Sequence, residues 1–396
     1  MSLTRRQFGR QFGCAFCGLA AALLAGSLAA QAPASGRTFL VPGYRPAPAS
    51  DEKGLWSLMD RVEQELKLSR FVVRDPTLNA YVRDIMCRLA KDHCPDVRTY
   101  IVRTAQFNAS MAPNGMMEVW TGLLLRCGDE AQLAAILGHE MGHYLRSHTV
   151  ERWRDARNKS DFGTFLGLGL AVAGLGAFGS LAQLALVASS YGFSRDQERE
   201  ADEIGLELMS KAGYPPVAAA EVWEQLIDEY KAGTAERARQ LLFATHPEPE
   251  ERMGALREAA AKAGGDAGER GHERYLEKLA GVRAQLVGDE LALRQYGRSE
   301  LVFERLLVRW PDDGQLWFAK GEVYRLRGED GDAARALASY ARALETKNAP
   351  PETLRGTMLI ELKSGARDRA QAAFEAYLKA KPDAADADAL RMLLSQ

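Results

Sequence analysis

The chain has 396 residues, 46% of them hydrophobic and 26% charged, a balance that fits a globular protein with room for two or three domains. With 51 basic against 53 acidic residues the formal net charge is -2, so composition offers no basic field to hold a nucleic acid.

The N-terminus reads as an address. Thr4-Arg5-Arg6-Gln7-Phe8-Gly9-Arg10 precedes an uncharged run from Gln11 to Ala34 with small-residue cleavage options near its end. This resembles a twin-arginine export signal over residues 1–34. An ordinary secretory signal that carries Arg-Arg is the alternative, and both direct the mature chain to the periplasm. Cys14 and Cys17 leave with the signal, and Cys87, Cys94 and Cys127 remain. Cys87 and Cys94 bracket a helix end and could pair in an oxidising compartment, and none of the three has zinc-ligand spacing.

Folded structure is expected from Asp51, in a helix to about Leu66. A second helix is opened by Asp75 as N-cap and Pro76 at the first helical position. Thr99–Arg103 and Met116–Thr121 read as strands, with Pro113-Asn114-Gly115 a turn signal between them. The reading is a small hairpin over the helix that follows, or a strand whose free edge could take up an extended peptide.

That following helix carries the chemistry. Asp129 and Gln132 make a capping-box-like start, and Leu133, Ile136, Leu137, Met141, Tyr144 and Leu145 form an apolar stripe, so the helix is expected to be half buried. Within it His139-Glu140-Met141-Gly142-His143 reads H-E-x-x-H. Four-residue spacing stacks both imidazoles on one helix face, about 6 Å apart at Cβ, as two ligands of one zinc ion require. Glu140 sits beside them and can take a proton from a metal-bound water. The candidate third ligand is Glu198, in the helical run Ser194-Arg195-Asp196-Gln197-Glu198-Arg199-Glu200-Ala201-Asp202. Asp202, one turn on, is placed to accept the free N–H of a ligating imidazole.

His139-Glu140-x-x-His143 followed by Glu198-x-x-Ala201-Asp202 resembles the gluzincin metallopeptidases of the HtpX and CAAX-prenyl-protease type. Asn108-Ala109, Asn114-Gly115 and Thr121-Gly122-Leu123 match that family's approach to the zinc helix, and the resemblance covers roughly Asp75 to Arg252. It implies a zinc endopeptidase with one zinc per chain, His139, His143 and Glu198 as ligands and Glu140 as general base. His246-Pro247 followed by Arg252 resembles a feature found after the third ligand in that family. His246 is therefore expected at the site, either stabilising an oxyanion or filling the open coordination position as an inhibitory fourth ligand. His93, His148 and His272 have no partner motif and are assigned no chemistry.

Phe162 to Ser194 is an uncharged run of 33 residues with seven glycines. One membrane crossing would part Glu198 from the histidines, and two need about 40 residues. The run is expected to be a buried helical pair, a lid, or a shallow membrane contact, in that order.

Ala261 to Gly271 looks like a flexible linker that closes a zinc-peptidase domain over 51–260. Beyond it Gly331/Gly365, Ala336/Ala370, Tyr340/Phe374 and Leu344/Leu378 are each 34 residues apart, the period of tetratricopeptide helix pairs. A tetratricopeptide-type α-solenoid is therefore expected over 272–396. The fold class is mainly α with a small β-hairpin or sheet. Within the family, this organisation resembles the periplasmic members with C-terminal repeats. That implies envelope protein quality control, with unfolded or misassembled proteins as substrates and the outer-membrane assembly machinery as a partner of the repeats. The alternative is a repeat-based chaperone or scaffold whose zinc is structural.

Overall fold

The computed structural model of the chain describes residues 39–158, 193–232, 246 and 249–395. The expected export signal lies outside them, as does the uncharged run apart from Phe193 and Ser194. No helix among the described residues is long and apolar enough to cross a membrane.

Helix α1 spans Asp51–Leu68, with the Ser50 side chain accepting from the Lys53 N–H and two acids in the first turn, where the helix dipole favours them. Helix α2 spans Pro76–Ala90, capped by Asp75 with Pro76 in the first turn as read from sequence. A 3-10 turn, Lys91–Asp96, is tied back to α2 by a Cys87–Cys94 disulfide. It leads into β1 (Arg98–Val102), β2 (Ala109–Met111) and β3 (Met116–Trp120).

The sheet corrects one expectation. Strand order is β1-β3-β2, with β1 parallel to β3 and β2 antiparallel to it. The two strands read from sequence are therefore not hairpin partners. The hairpin is β2–β3, closed where the Gly115 N–H donates to the Ala112 carbonyl. Gly115 has φ +86°, and a Cβ there would lie 2.1 Å from the Asp96 carbonyl oxygen, so the turn needs glycine. β2 has three residues, too few to show an alternating pattern. Central in the sheet, β3 has no free edge; the edge that packs on the zinc-motif helix belongs to β2.

Helices α3 (Thr121–Arg126), α4 (Glu130–Leu145), α5 (His148–Asn158), α6 (Arg195–Lys211), α7 (Val217–Ala232) and α8 (Pro249–Lys262) follow. Helix α4 carries the H-E-x-x-H motif and is capped by Asp129 as expected, but every one of its residues is buried. It is the central helix of the domain, packed between α2, β2, α6 and α7. Its closest neighbour is α6, across a seam of small residues: a Cβ on Gly142 would lie 2.8 Å from the Ala201 oxygen, and one on Gly205 3.0 Å from the His139 nitrogen. Near-contact of the two backbones brings Glu198 within reach of the histidines.

The remaining helices are α9 (His272–Leu279), α10 (Arg283–Ala292), α11 (Tyr296–Arg309), α12 (Gly314–Arg327), α13 (Asp332–Leu344), α14 (Glu352–Lys363), α15 (Arg367–Ala380) and α16 (Ala387–Ser395). α12 pairs with α13, and α14 with α15. Tyr340 of α13 fills the space left by Gly321 of α12 and Gly356 of α14. The residues found 34 apart, Ala336/Ala370 and Tyr340/Phe374, are all buried between helices.

The stretch expected as a flexible linker is fixed in place. The Arg270 guanidinium donates to Glu221 at 2.8 Å and to Asp129 at 3.2 Å, and the Ala131 N–H donates to the Arg270 carbonyl. One apolar cluster extends from Leu78 and Ile101 through Leu133 and Trp223 to Tyr275, Phe303 and Val323. Charged groups bind the same junction. Arg126, 2% exposed, donates to Glu229 of α7 at 2.7 Å and Glu290 of α10 at 2.8 Å. Glu130, the first residue of α4, accepts from Tyr81, Tyr214, Arg88 and Arg274.

Candidate metal centre

The residues singled out by sequence meet at one point. His139 Nε2 and His143 Nε2 are 3.1 Å apart, as one helix turn on α4 dictates. From α6, Glu198 brings Oε1 to 3.4 Å from His143 Nε2 and Oε2 to 3.7 Å from His139 Nε2. His246 brings Nδ1 to 3.3 Å from His139 Nε2 and 3.1 Å from Glu198 Oε1. All four side chains are buried, and their ligand atoms lie within 4.8 Å of one another.

This donor set fits a small divalent cation. A tetrahedral zinc with arms of about 2.0–2.1 Å has ligands roughly 3.3 Å apart, close to the separations seen. His139 Nδ1 lies 2.8 Å from Asp202 Oδ1, so that nitrogen is the donor and Nε2 presents a lone pair to the centre. His143 Nδ1 lies 2.9 Å from His148 Nδ1. Two ring nitrogens and a carboxylate facing one another at these distances suit a shared cation between them.

The surroundings hold this set in place. Arg252 donates to both Asp202 oxygens, at 2.9 and 2.7 Å, pairs with Glu198, and lies 4.6 Å above the Trp223 ring. Burial alone would lower the His139 pKa, but the Asp202 carboxylate more than offsets this and the pKa is raised. Burial opposes ionisation of Glu198, yet the neighbouring His246 ring and the Arg252 guanidinium hold its carboxyl well below the usual range. The His143 imidazole is pushed well down by burial. Glu140 is buried beside the cluster and its pKa is raised by burial; its Oε1 is 3.5 Å from His246 Nε2. Phe193 stacks on His143, ring centroids 3.6 Å apart.

Sequence reasoning missed three of these groups, His148, Trp223 and Phe193. His148 touches His143 and Glu200, although no motif flagged it; a histidine five positions past the second motif histidine was the available signal. Trp223 carries no signal beyond its type.

Residues 72–260 match peptidase family M48. That segment is similar to the family M48 peptidases. The match agrees with the resemblance read from the zinc motifs. The chain is 26% identical over 300 residues to the beta-barrel assembly-enhancing protease of Escherichia coli, covering 73% of this chain and 55% of that one. It is 27% identical over 212 residues to the putative beta-barrel assembly-enhancing protease of Vibrio cholerae, covering 51% and 43%. To the mitochondrial metalloendopeptidase OMA1 of Schizosaccharomyces pombe it is 35% identical over 164 residues, 40% of this chain and 45% of that one. The chain thus spans about half the length of the curated relatives it matches.

Proposed function

We propose that this chain is a zinc-dependent endopeptidase of the periplasm that acts on unfolded or misassembled envelope proteins. The observation that carries the reading is the convergence of His139, His143 and Glu198 with Glu140 buried beside them. Zinc held by those three residues would polarise a scissile carbonyl and bring the pKa of a water toward 7. Glu140 holds the proton taken from that water and passes it to the leaving amine, a role suited to a carboxyl whose pKa is raised by burial. Asp202, held by Arg252, keeps the His139 proton on Nδ1.

His246 closes this arrangement. Its Nδ1 completes the set of four ligand atoms, and its Nε2 faces Glu140. With a metal held by the other three residues, His246 would take the position a water needs and engage the base, a latched state. Opening requires His246 to withdraw.

The relatives named beta-barrel assembly-enhancing protease support outer-membrane protein assembly as the setting. The helix pairs from α12 to α15, with their 34-residue echo, support tetratricopeptide-type repeats that dock substrate or the outer-membrane assembly machinery.

Metal analysis and casein cleavage test the reading together. Glu140→Gln should keep its zinc and lose turnover, and His246→Ala should keep zinc and cleave faster than the parent. A zinc-loaded Glu140→Gln protein with parental turnover contradicts the role of Glu140. Slower cleavage by His246→Ala makes His246 an oxyanion stabiliser instead of a latch. The four-donor closure also favours a second reading, a repeat-based chaperone with structural zinc. Chelation separates them: loss of proteolysis with the fold intact favours the peptidase, and loss of fold favours the scaffold.

A further inference from the structure

The two ligand histidines are backed differently. His139 hands its Nδ1 proton directly to a carboxylate, Asp202, which Arg252 holds. For His143 no carboxylate lies against Nδ1 among the described residues. That nitrogen meets the Nδ1 of His148 at 2.9 Å, and His148 Nε2 lies 3.1 Å from Glu200 Oε2. Glu200 in turn takes Arg146 Nε at 2.8 Å.

We infer that His148 is a positioning residue for His143, accepting its Nδ1 proton so that Nε2 points bare into the metal centre, and itself fixed by Glu200 and Arg146. The inference rests on the metal reading above.

Proton bookkeeping leaves one arrangement. His143 Nε2 faces His139 Nε2 at 3.1 Å and Glu198 at 3.4 Å, so it is the ligand atom and its proton resides on Nδ1. Two ring nitrogens 2.9 Å apart share one hydrogen, so His148 Nδ1 is the acceptor. His148 then carries its own hydrogen on Nε2, where Glu200 receives it. Each ligand imidazole thus ends on a carboxylate held by an arginine, one directly and the other through an interposed ring.

The fold explains the extra ring. His143 lies in the last turn of α4, and the chain reverses at Ser147, a non-glycine residue at φ +57°. The reversal makes His148 the first residue of α5 and folds its ring, 1% exposed, back on His143. Phe193 covers one face of the His143 ring and His148 meets its edge, so the ring plane is set from two sides.

The test uses the full-length protein stripped of metal, with zinc affinity read by competition with a chromophoric chelator. Unfolding midpoints of the metal-free forms monitor the fold. His148→Leu keeps the volume and removes the acceptor, and should weaken zinc binding about 10–100-fold. His148→Asn places a carbonyl oxygen near the former Nδ1 and should recover most of that loss. The absorption bands of the cobalt-substituted protein should shift in the leucine form and return toward the parent in the asparagine form. Glu200→Ala, at a partly exposed position, should weaken zinc several-fold without touching the core, and decides the matter if the leucine form does not fold. Parental affinity in His148→Leu or in Glu200→Ala overturns the inference, as does an asparagine form no better than the leucine form. A parent that binds no zinc overturns the metal reading and this one with it; a parent that binds while His148→Leu matches it overturns only this one.

Discussion

Replacing Glu130 by glutamine should cost about 2–3 kcal/mol of stability at pH 7, and the cost should shrink as the pH falls. The carboxylate accepts from the Tyr81 hydroxyl at 2.8 Å, the Tyr214 hydroxyl at 2.6 Å and Arg274 at 2.6 and 2.9 Å, and it also pairs with Arg88. Burial pushes its pKa up, but Arg274, the two tyrosines and Arg88 outweigh that and hold it at about 2, against an ordinary 4.5. At about 1.4 kcal/mol per pH unit this shift corresponds to roughly 3 kcal/mol as an upper value. Arg88 and Arg274 are 39% and 37% exposed, so they regain water when the charge is lost, and the figure is discounted accordingly. Because the folded pKa lies below the unfolded one, the contribution is complete above pH 4.5 and is lost between 4.5 and about 2. Urea unfolding of parent and Glu130→Gln proteins at pH 7, 5 and 3 measures it. Equal stability at pH 7, or a gap that stays constant down to pH 3, would refute the reasoning.

Glu118 should act with the opposite sign. Burial, opposed only by a 3.5 Å bond from Trp120 Nε1, raises its pKa to about 7, so its protonated form is favoured in the folded state. Its share of stability is highest below pH 4.5 and falls by about 3 kcal/mol as the pH rises to 7 and above. Glu118→Gln should remove that slope and raise the unfolding midpoint at pH 8; a slope unchanged in the variant contradicts the assignment. Gly142→Ala puts a Cβ 2.8 Å from the Ala201 oxygen, forcing α4 and α6 apart. Overpacking of about 1–3 kcal/mol should outweigh a gain of about 1 kcal/mol in helix propensity, and zinc affinity should drop because α6 carries Glu198. Gly54→Ala, on an open face of α1 with nothing within 4 Å, should instead stabilise by about 1 kcal/mol. Chelator competition and thermal melts read both substitutions, and parental zinc affinity in Gly142→Ala would rule out the seam as a positioning device.

Local signals were legible in the chain. Asp75-Pro76 and Asp129 with Gln132 start helices where their capping chemistry says they should, and the H-E-x-x-H spacing sets two imidazoles side by side on α4. What escaped depends on partners distant in sequence. The depth of α4 follows from small residues on α6, because Ala201 and Gly205 admit a backbone only when a second glycine-bearing helix crosses them. Arg126 reads as an ordinary surface charge until Glu229 and Glu290, more than 100 residues onward, are in view, and Glu130 until Tyr81, Arg88, Tyr214 and Arg274 converge on it. β2 is too short to announce itself, and parallel pairing of β1 with β3 follows only once β2 takes the antiparallel place. His148 becomes interpretable only when the reversal at Ser147 turns it back toward the centre.

The ring of ion pairs around the start of α4 limits how this molecule can be divided. Arg270, Arg274, Glu290 and Arg309 neutralise Asp129, Glu130 and Arg126, and all four lie beyond the last helix of the matched family segment. A chain ended after α8 would leave Asp129 without Arg270 and Arg309, Glu130 with Arg88 but without Arg274, and Arg126 with Glu229 but without Glu290, and it should be less stable for the loss. The zinc-motif helix and the helical array are coupled through these pairs, and any ligand that strains the array draws on the same ionic anchor that holds that helix.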